Sequence, residues 1–267
     1  MNTPSKAGST LNIQPSDAVH SAVVDGVLMV TIQRPEKRNP LSLGVLEALR
    51  IAFVQHANDT KVRLAVISGS GDKAFASGGD LNELAVYRTR QEASAFSLFG
   101  KAALNAVRSF PAPVIARVNG VALGGGAELA LACDLRFAAA HAKIGLIHGR
   151  LKIAPSWGGG HDLLRLVGPA KAVTLMAEAK ILDAPDAQGL GLFDAVCPSE
   201  TDFETWFQDR IRNLADNPPQ VMRAFKSAAR RMATRSEADT AETEHFADVW
   251  VHDDHWSAVD EFQRRNK

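Results

Sequence analysis

Cysteine is nearly absent from this chain: Cys133 and Cys197 are the two in 267 residues, far apart and without a C-x-x-C spacing. That excludes a disulfide framework, a zinc knuckle and a paired-thiol redox centre, and it fits a reducing compartment. An excess of either charge is also missing, since 30 Lys plus Arg balance 30 Asp plus Glu. With no global field to gather a polyanion, neither nucleic acid nor an acidic membrane surface is an expected partner. Long apolar runs are lacking as well. The nearest candidate, an Ala-rich stretch, is interrupted by Glu128 and Asp134, short of the roughly 18 uncharged residues a membrane span needs. The N-terminal MNTPSKAGSTLNIQPSDAV has one Lys and no apolar h-region, so it does not read as a secretory signal. These absences predict a soluble, cytoplasmic protein with a disordered tail over residues 1–18.

What is present is ordinary globular material, 46% apolar and 22% charged, enough for one large domain with a helical appendix. Asp25-Gly26 between the β-rich runs of AVVDGVLMVTI predicts a hairpin at an antiparallel edge. Leu43, Leu46, Leu49 and Phe53 recur at helical spacing, and Arg63 to Ser68 reads as a buried strand. The strand, turn, helix pattern then repeats through a helical Leu81 to Val107, the strand PVIARVNG and a helix from Glu128. Short strands follow at CDLRFA and AKIGLI, and beyond about Pro169 the signals are helical. The fold class expected is α/β, with a core over 19–200 and a helical region over 201–267.

Two glycine-rich turns each follow a strand and open a helix, which aims free backbone N–H groups and a helix dipole at one point. The first ends in Ser77-Gly78-Gly79-Asp80, with Asp80 and Glu83 spaced like a capping box; the second is Gly124-Gly125-Gly126-Ala127-Glu128. A dinucleotide fingerprint is not complete, because Ala74 stands where a third glycine is needed. No G-x-S-x-G nucleophile motif occurs either.

Together RPEKRNPLS, RLAVISGSGDKAFASGGDLNEL and PVIARVNGVALGGGAELALACDLRFA, in this order and spacing, resemble the enoyl-CoA hydratase/isomerase, or crotonase, superfamily, from about Val23 to the C-terminus. The resemblance implies a ββα spiral core, a C-terminal helical trimerisation region, and an acyl-CoA thioester substrate. It also implies a homo-oligomer, a trimer or a dimer of trimers. Coenzyme A would arrive as part of the substrate, with no metal or other cofactor. The backbone N–H groups of Gly79 and Gly125 correspond to the oxyanion-hole donors. The implied substrate-binding positions are Ala76, Gly79, Asp80, Leu81, Gly125, Trp157 and Arg38. Such a site suits any reaction that passes through a thioester enolate, whose oxygen needs preorganised donors.

Family hydratases commonly pair a carboxylate at the position of Glu128 with a second one where this chain has His148. Losing the second carboxylate disfavours hydration, which needs one group to activate water and another to protonate carbon. AKIGLIHGRLKIAPSWGGG resembles the ethylmalonyl/methylmalonyl-CoA decarboxylase-like branch, as do NPPQVMRAFKSAAR and the Trp of FADVWVHDDHW. Decarboxylation makes the enolate without a base. His148 is then the proton donor or the group that orients the substrate carboxylate, and Glu128 is the competing acid–base candidate. Trp157 walls the acyl pocket or packs in the core.

Arg34, Lys37, Arg38 and Lys73 suit phosphate contacts and equally suit a solvated surface. Arg230, Arg231 and Arg235 read as a solvated helix face. His252-Asp253-Asp254-His255 has metal-ligating side chains but no further ligand in register, so no metal site is expected. Two other functions stay open: a hydratase or isomerase using Glu128 alone, and a non-catalytic acyl-CoA-binding module on the same scaffold.

Overall fold

The computed structural model describes residues 11, 13–87 and 89–230. Its first elements are β1 (Val19–Val24) and β2 (Val27–Ile32), an antiparallel pair whose turn residues Asp25 and Gly26 have φ of 49° and 75°. Positive φ at both central positions is what a tight hairpin turn with the twist of its strands requires. Next come α1 (Leu43–His56) and β3 (Leu64–Gly69). Every residue of β3 is buried, so LAVISG reads as one apolar run rather than an alternation.

Three strand pairs then follow one plan. In chain order they are β3 and β4 (Ala74–Ala76), leading to α2 (Leu81–Leu84) and α3 (Arg90–Ser109); β5 (Val114–Val118) and β6 (Val121–Leu123), leading to α4 (Gly125–Ala132); and β7 (Leu135–Ala138) and β8 (Lys143–Gly145), leading to a 3-10 turn at Ile147–Leu151 and α5 (Gly159–Val167). The chain closes with α6 (Pro169–Ala177), β9 (Leu182–Asp183), α7 (Ala184–Gly189), β10 (Ala195–Val196), α8 (Phe203–Ala215) and α9 (Pro219–Arg230). A six-stranded sheet runs β1-β2-β3-β5-β7-β10, and a four-stranded sheet runs β4-β6-β8-β9. From β3 to β8 successive strands therefore alternate between the sheets, as in the ββα spiral that the family resemblance implies.

The larger sheet is covered on both faces. Leu64 and Val66 of β3 pack with Phe207 and Ile211 of α8, while Ala65 and Ile67 join the main core under α1, α3 and α4. Phe53 of α1 meets Phe110, just past α3, edge-on with ring centroids 5.3 Å apart. Two buried asparagines tie the loops together. Asn39 Oδ1 accepts the Arg34 N–H at 2.9 Å and its Nδ2 donates to the carbonyls of Ser70 and Ala74. Asn119 accepts the Gly69 N–H and donates to the Gly71 carbonyl at 2.7 Å. Lys226 pins α9 by an ion pair with Asp134 at 2.6 Å and a bond to the Ala112 carbonyl.

Several sequence expectations need adjustment. The helical stretch expected over Leu81 to Val107 is two helices, because Thr89 caps a new one by a reciprocal box with Glu92. Asp80 makes no such cap: it pairs with Arg34, and Glu83 instead accepts the N–H of Leu43 at 3.0 Å, capping α1. The last third also contains β9 and β10, two residues each, too short to show a period. The tail expected over 1–18 is attached in its described part, since Leu11 and Ile13 pack on the core and the Ser16 N–H donates to Gly44. The quartet at 252–255, Arg231, Arg235, the Trp of FADVWVHDDHW and most of the expected 201–267 region lie outside the described residues.

Two predictions follow from this packing. Asn39→Ala takes partners from the Arg34 N–H and the Ser70 carbonyl and leaves the Ala74 carbonyl with Asn119 alone, and should lower unfolding free energy by about 1–3 kcal/mol in urea titrations. Burial pushes the Cys133 thiol up to about 12, with the neighbouring Asp134 adding to the shift. Above about pH 9 the unfolded chain loses this proton and the folded chain keeps it, so stability should fall by about 1 kcal/mol between pH 9 and 10. Cys133→Ala should remove that part of the slope, read as the difference between the two proteins' unfolding curves.

Candidate active site

β4, β6 and β8 pair in parallel, so their C-terminal ends share one edge and the segments after them converge. Ligands of parallel sheets collect at that edge. The converging segments are Gly78-Gly79, Gly124-Gly125 and Ile147-His148, and they line a cavity of about 650 Å³. Leu81, Leu84, Tyr87, Phe96, Ile153 and Trp157 supply much of its apolar wall. Among the described residues, no Lys or Arg lines it.

The two glycine N–H groups are free for a reason of pairing. Leu41 donates to the Gly78 carbonyl and accepts from the Asp80 N–H. An extended strand alternates its polar groups, so the N–H of Gly79 projects from the opposite edge. Gly125 begins α4, where the first N–H groups have no intrahelical acceptor, and the Glu128 N–H is the first to bond back, to Gly124. Neither N–H has an acceptor among the described residues.

Glu128 lies one turn into α4 and is 1% exposed. Its Oε2 accepts the N–H groups of Trp157 and Gly159, each at 2.9 Å, and its Oε1 lies 3.1 Å from His148 Nε2. With the carboxylate as acceptor, the ring hydrogen sits on Nε2. His148 Nδ1 is buried and has no partner among the described residues, so it is the ring nitrogen that Glu128 leaves unengaged. The loop that wraps Glu128 requires its glycines. Gly158 has φ of 100°, and a Cβ on Gly159 would stand 2.4 Å from Glu128 Cγ. From the other side Arg108 of α3 holds the loop, donating to the Trp157 carbonyl at 3.0 Å and pairing with Asp162 at 2.6 Å.

Glu128, His148, Gly79, Gly125, Leu81 and Trp157 therefore meet at one cavity. The other positions implied by the resemblance stand elsewhere. Asp80 is engaged by Arg34 at 3.1 Å. Ala76 is buried beneath α4, so close that a Cβ on Gly126 would overlap its carbonyl at 1.9 Å. Arg38 borders a separate recess with Asp72, Lys73, Val121 and His141. Sequence reading missed Tyr87, Phe96, Arg108 and Asp162. The Thr89-x-x-Glu92 box was the available signal for Tyr87, since it marks the helix break that brings that ring to the cavity. Nothing local marks the Arg108–Asp162 pair. Among the described residues no cluster of His, Cys, Asp and Glu is arranged to hold a metal ion, and no helix is long and apolar enough to cross a membrane.

Comparison with known proteins agrees with this geometry. The family model for enoyl-CoA hydratase/isomerase matches residues 23–267. The short-chain-enoyl-CoA hydratase of Clostridium acetobutylicum is 32% identical over 245 residues, 90% of this chain and 92% of that protein. The ethylmalonyl-CoA decarboxylase of Bos taurus is 31% identical over 205 residues, 76% of this chain and 67% of that one. The crystal structure of an enoyl-CoA hydratase from Bacillus anthracis superposes with a TM-score of 0.87 at 29% identity, covering 93% of this chain and 97% of that one.

Gly159→Ala tests the wrap around Glu128. The added methyl must displace either the carboxylate stem or the loop, and the variant should lose about 1–3 kcal/mol in urea unfolding.

Proposed function

The chain belongs to the enoyl-CoA hydratase/isomerase family, and on that premise we propose that it decarboxylates a small malonyl-type CoA thioester such as methylmalonyl-CoA or ethylmalonyl-CoA. The observation that carries this reading is the Glu128–His148 pair at 3.1 Å in a cavity whose lining holds no Lys or Arg among the described residues. Both carboxylate oxygens of Glu128 are engaged, one of them by the imidazole, which makes His148 the proton-carrying group of the pair. One such group suits a reaction that needs a single protonation step.

The thioester oxygen would accept the N–H groups of Gly79 and Gly125. The bond from the α-carbon to the carboxylate breaks, CO2 leaves, and the electron pair passes into the enolate, whose oxygen charge grows on those donors. Each is worth about 3–4 kcal/mol to such a transition state. His148, having taken a second proton from water on Nδ1, then gives that proton to the α-carbon, while Glu128 orients the ring through Nε2. The thioester is its own electron sink, so the steps call for no metal or redox cofactor. Arg38 and Lys73, which border the second recess, would meet the CoA phosphates as charged donors. The functional unit is expected to be a trimer or a dimer of trimers in the cytoplasm.

A hydratase or isomerase using Glu128 is the second reading, favoured by the hydratase names among the relatives. Mass spectrometry of products from methylmalonyl-CoA, ethylmalonyl-CoA and crotonyl-CoA separates the two. Loss of CO2 from a malonyl thioester, reduced about 10²–10⁴-fold by His148→Ala and about 10²-fold by Glu128→Gln through a misplaced ring, is the expected result. Water addition to crotonyl-CoA with the malonyl thioesters untouched would sink it and move the acid–base role to Glu128. Tight acyl-CoA binding with no turnover of any would indicate a binding module.

A further inference from the structure

Trp157 sits in a slot made by the absence of side chains. A Cβ on Gly100 of α3 would come within 2.3 Å of its Nε1, and a Cβ on Gly125 within 2.3 Å of its Cζ3. On the third side a Cβ on Gly79 would lie 3.5 Å from Cη2. The indole thus reaches from α3 to the two backbone segments that present the free N–H groups. It is 3% exposed and yet lines the cavity, so it is at once core and wall.

The ring is held at some expense. Its Nε1 is buried without a partner among the described residues, and an unpaired buried donor is unfavourable. Phenylalanine or leucine would avoid that penalty but would leave part of the slot empty. The indole is also fixed in depth, because its backbone N–H is bound to Glu128 and its carbonyl to Arg108.

We infer that Gly100, Gly125 and Trp157 form a steric gauge that restricts the substituent on the α-carbon of the acyl group to a small alkyl group. This rests on the reading that a thioester oxygen sits on the N–H groups of Gly79 and Gly125. The α-carbon is attached to the same carbonyl carbon, so a group branching from it lies against the six-membered edge of the indole. Gly100 sets how far that edge recedes: a methyl there must push the ring toward the cavity, whereas a shorter side chain at 157 lets the pocket extend toward α3.

Titration calorimetry of the full chain with non-reacting thioesters tests the gauge: acetyl-CoA and its α-methyl, α-ethyl and α-propyl derivatives, which are propionyl-, butyryl- and valeryl-CoA. For the wild type Kd should rise by about tenfold or more for a methylene that no longer fits, with the step falling between ethyl and propyl. Trp157→Leu should abolish the step, and Gly100→Ala should move it to a smaller group. Trp157→Phe, the milder change, should shift it in the same direction as leucine. A wild type that binds α-propyl as tightly as α-methyl overturns the gauge, as does an unchanged step in both Trp157 variants. Failure of the wild type to bind acetyl-CoA itself would remove the underlying acyl-CoA reading and the gauge with it. Binding with a flat series removes the gauge alone.

Discussion

A carboxylate buried as deeply as that of Glu128 is tolerable only when every strong acceptor position is met, since an uncompensated interior charge costs several kcal/mol. Here the compensation comes from three directions: the N–H groups of Trp157 and Gly159 on one oxygen and the His148 ring on the other. Trp157 and His148 belong to segments with little regular structure of their own, and Gly159 opens α5. The carboxylate is therefore the point on which the loop after β8, the 3-10 turn and the start of α5 are organised. Arg108 completes the arrangement by taking the Trp157 carbonyl and Asp162, so the loop is fixed from two helices rather than one.

What brings Glu128 to that position is the small parallel sheet. β4, β6 and β8 contribute only three residues each, yet their common direction puts three successive loop starts at one edge. The antiparallel edge at β1 and β2, by contrast, lies at the far side of the larger sheet and has no part in the site. The two asparagines at 39 and 119 do for the outer loops what Glu128 does for the inner one. They use short side chains with both donor and acceptor capacity to satisfy carbonyls and N–H groups that a turn leaves unpaired.

Features with a local physical signature were legible in the sequence. Asp25-Gly26 announces its turn by the need for positive φ, α1 appears through its apolar spacing, and the glycine runs locate the segments that must approach other backbone closely. β4 was hidden inside a stretch read as a turn, because three residues between glycines carry no period. The pairing of Glu128 with His148 was not legible. It depends on β6 and β8 being neighbours, a fact of topology, and the Arg108–Asp162 pair joins helices 54 residues apart in sequence. The resemblance to a known family named the chemistry-bearing positions. The geometry of this chain separates those at the cavity from Ala76, Asp80 and Arg38, which have other neighbours.

In the proposed reaction the lining of the cavity matters as much as its donors. A malonyl-type carboxylate entering this space leaves water and meets no Lys or Arg among the described lining residues, and a buried anion, Glu128, lies nearby. Coulomb repulsion between like charges strengthens as water is excluded. The transition state relieves it, since the charge of the departing carboxylate moves onto the thioester oxygen, where two free N–H groups wait. The same two N–H groups would serve an enolate made in any other way. On the proposed reading, a lining without Lys or Arg among the described residues, together with a well-compensated place for an enolate oxygen, would favour loss of CO2 over addition of water, which brings no charge to relocate.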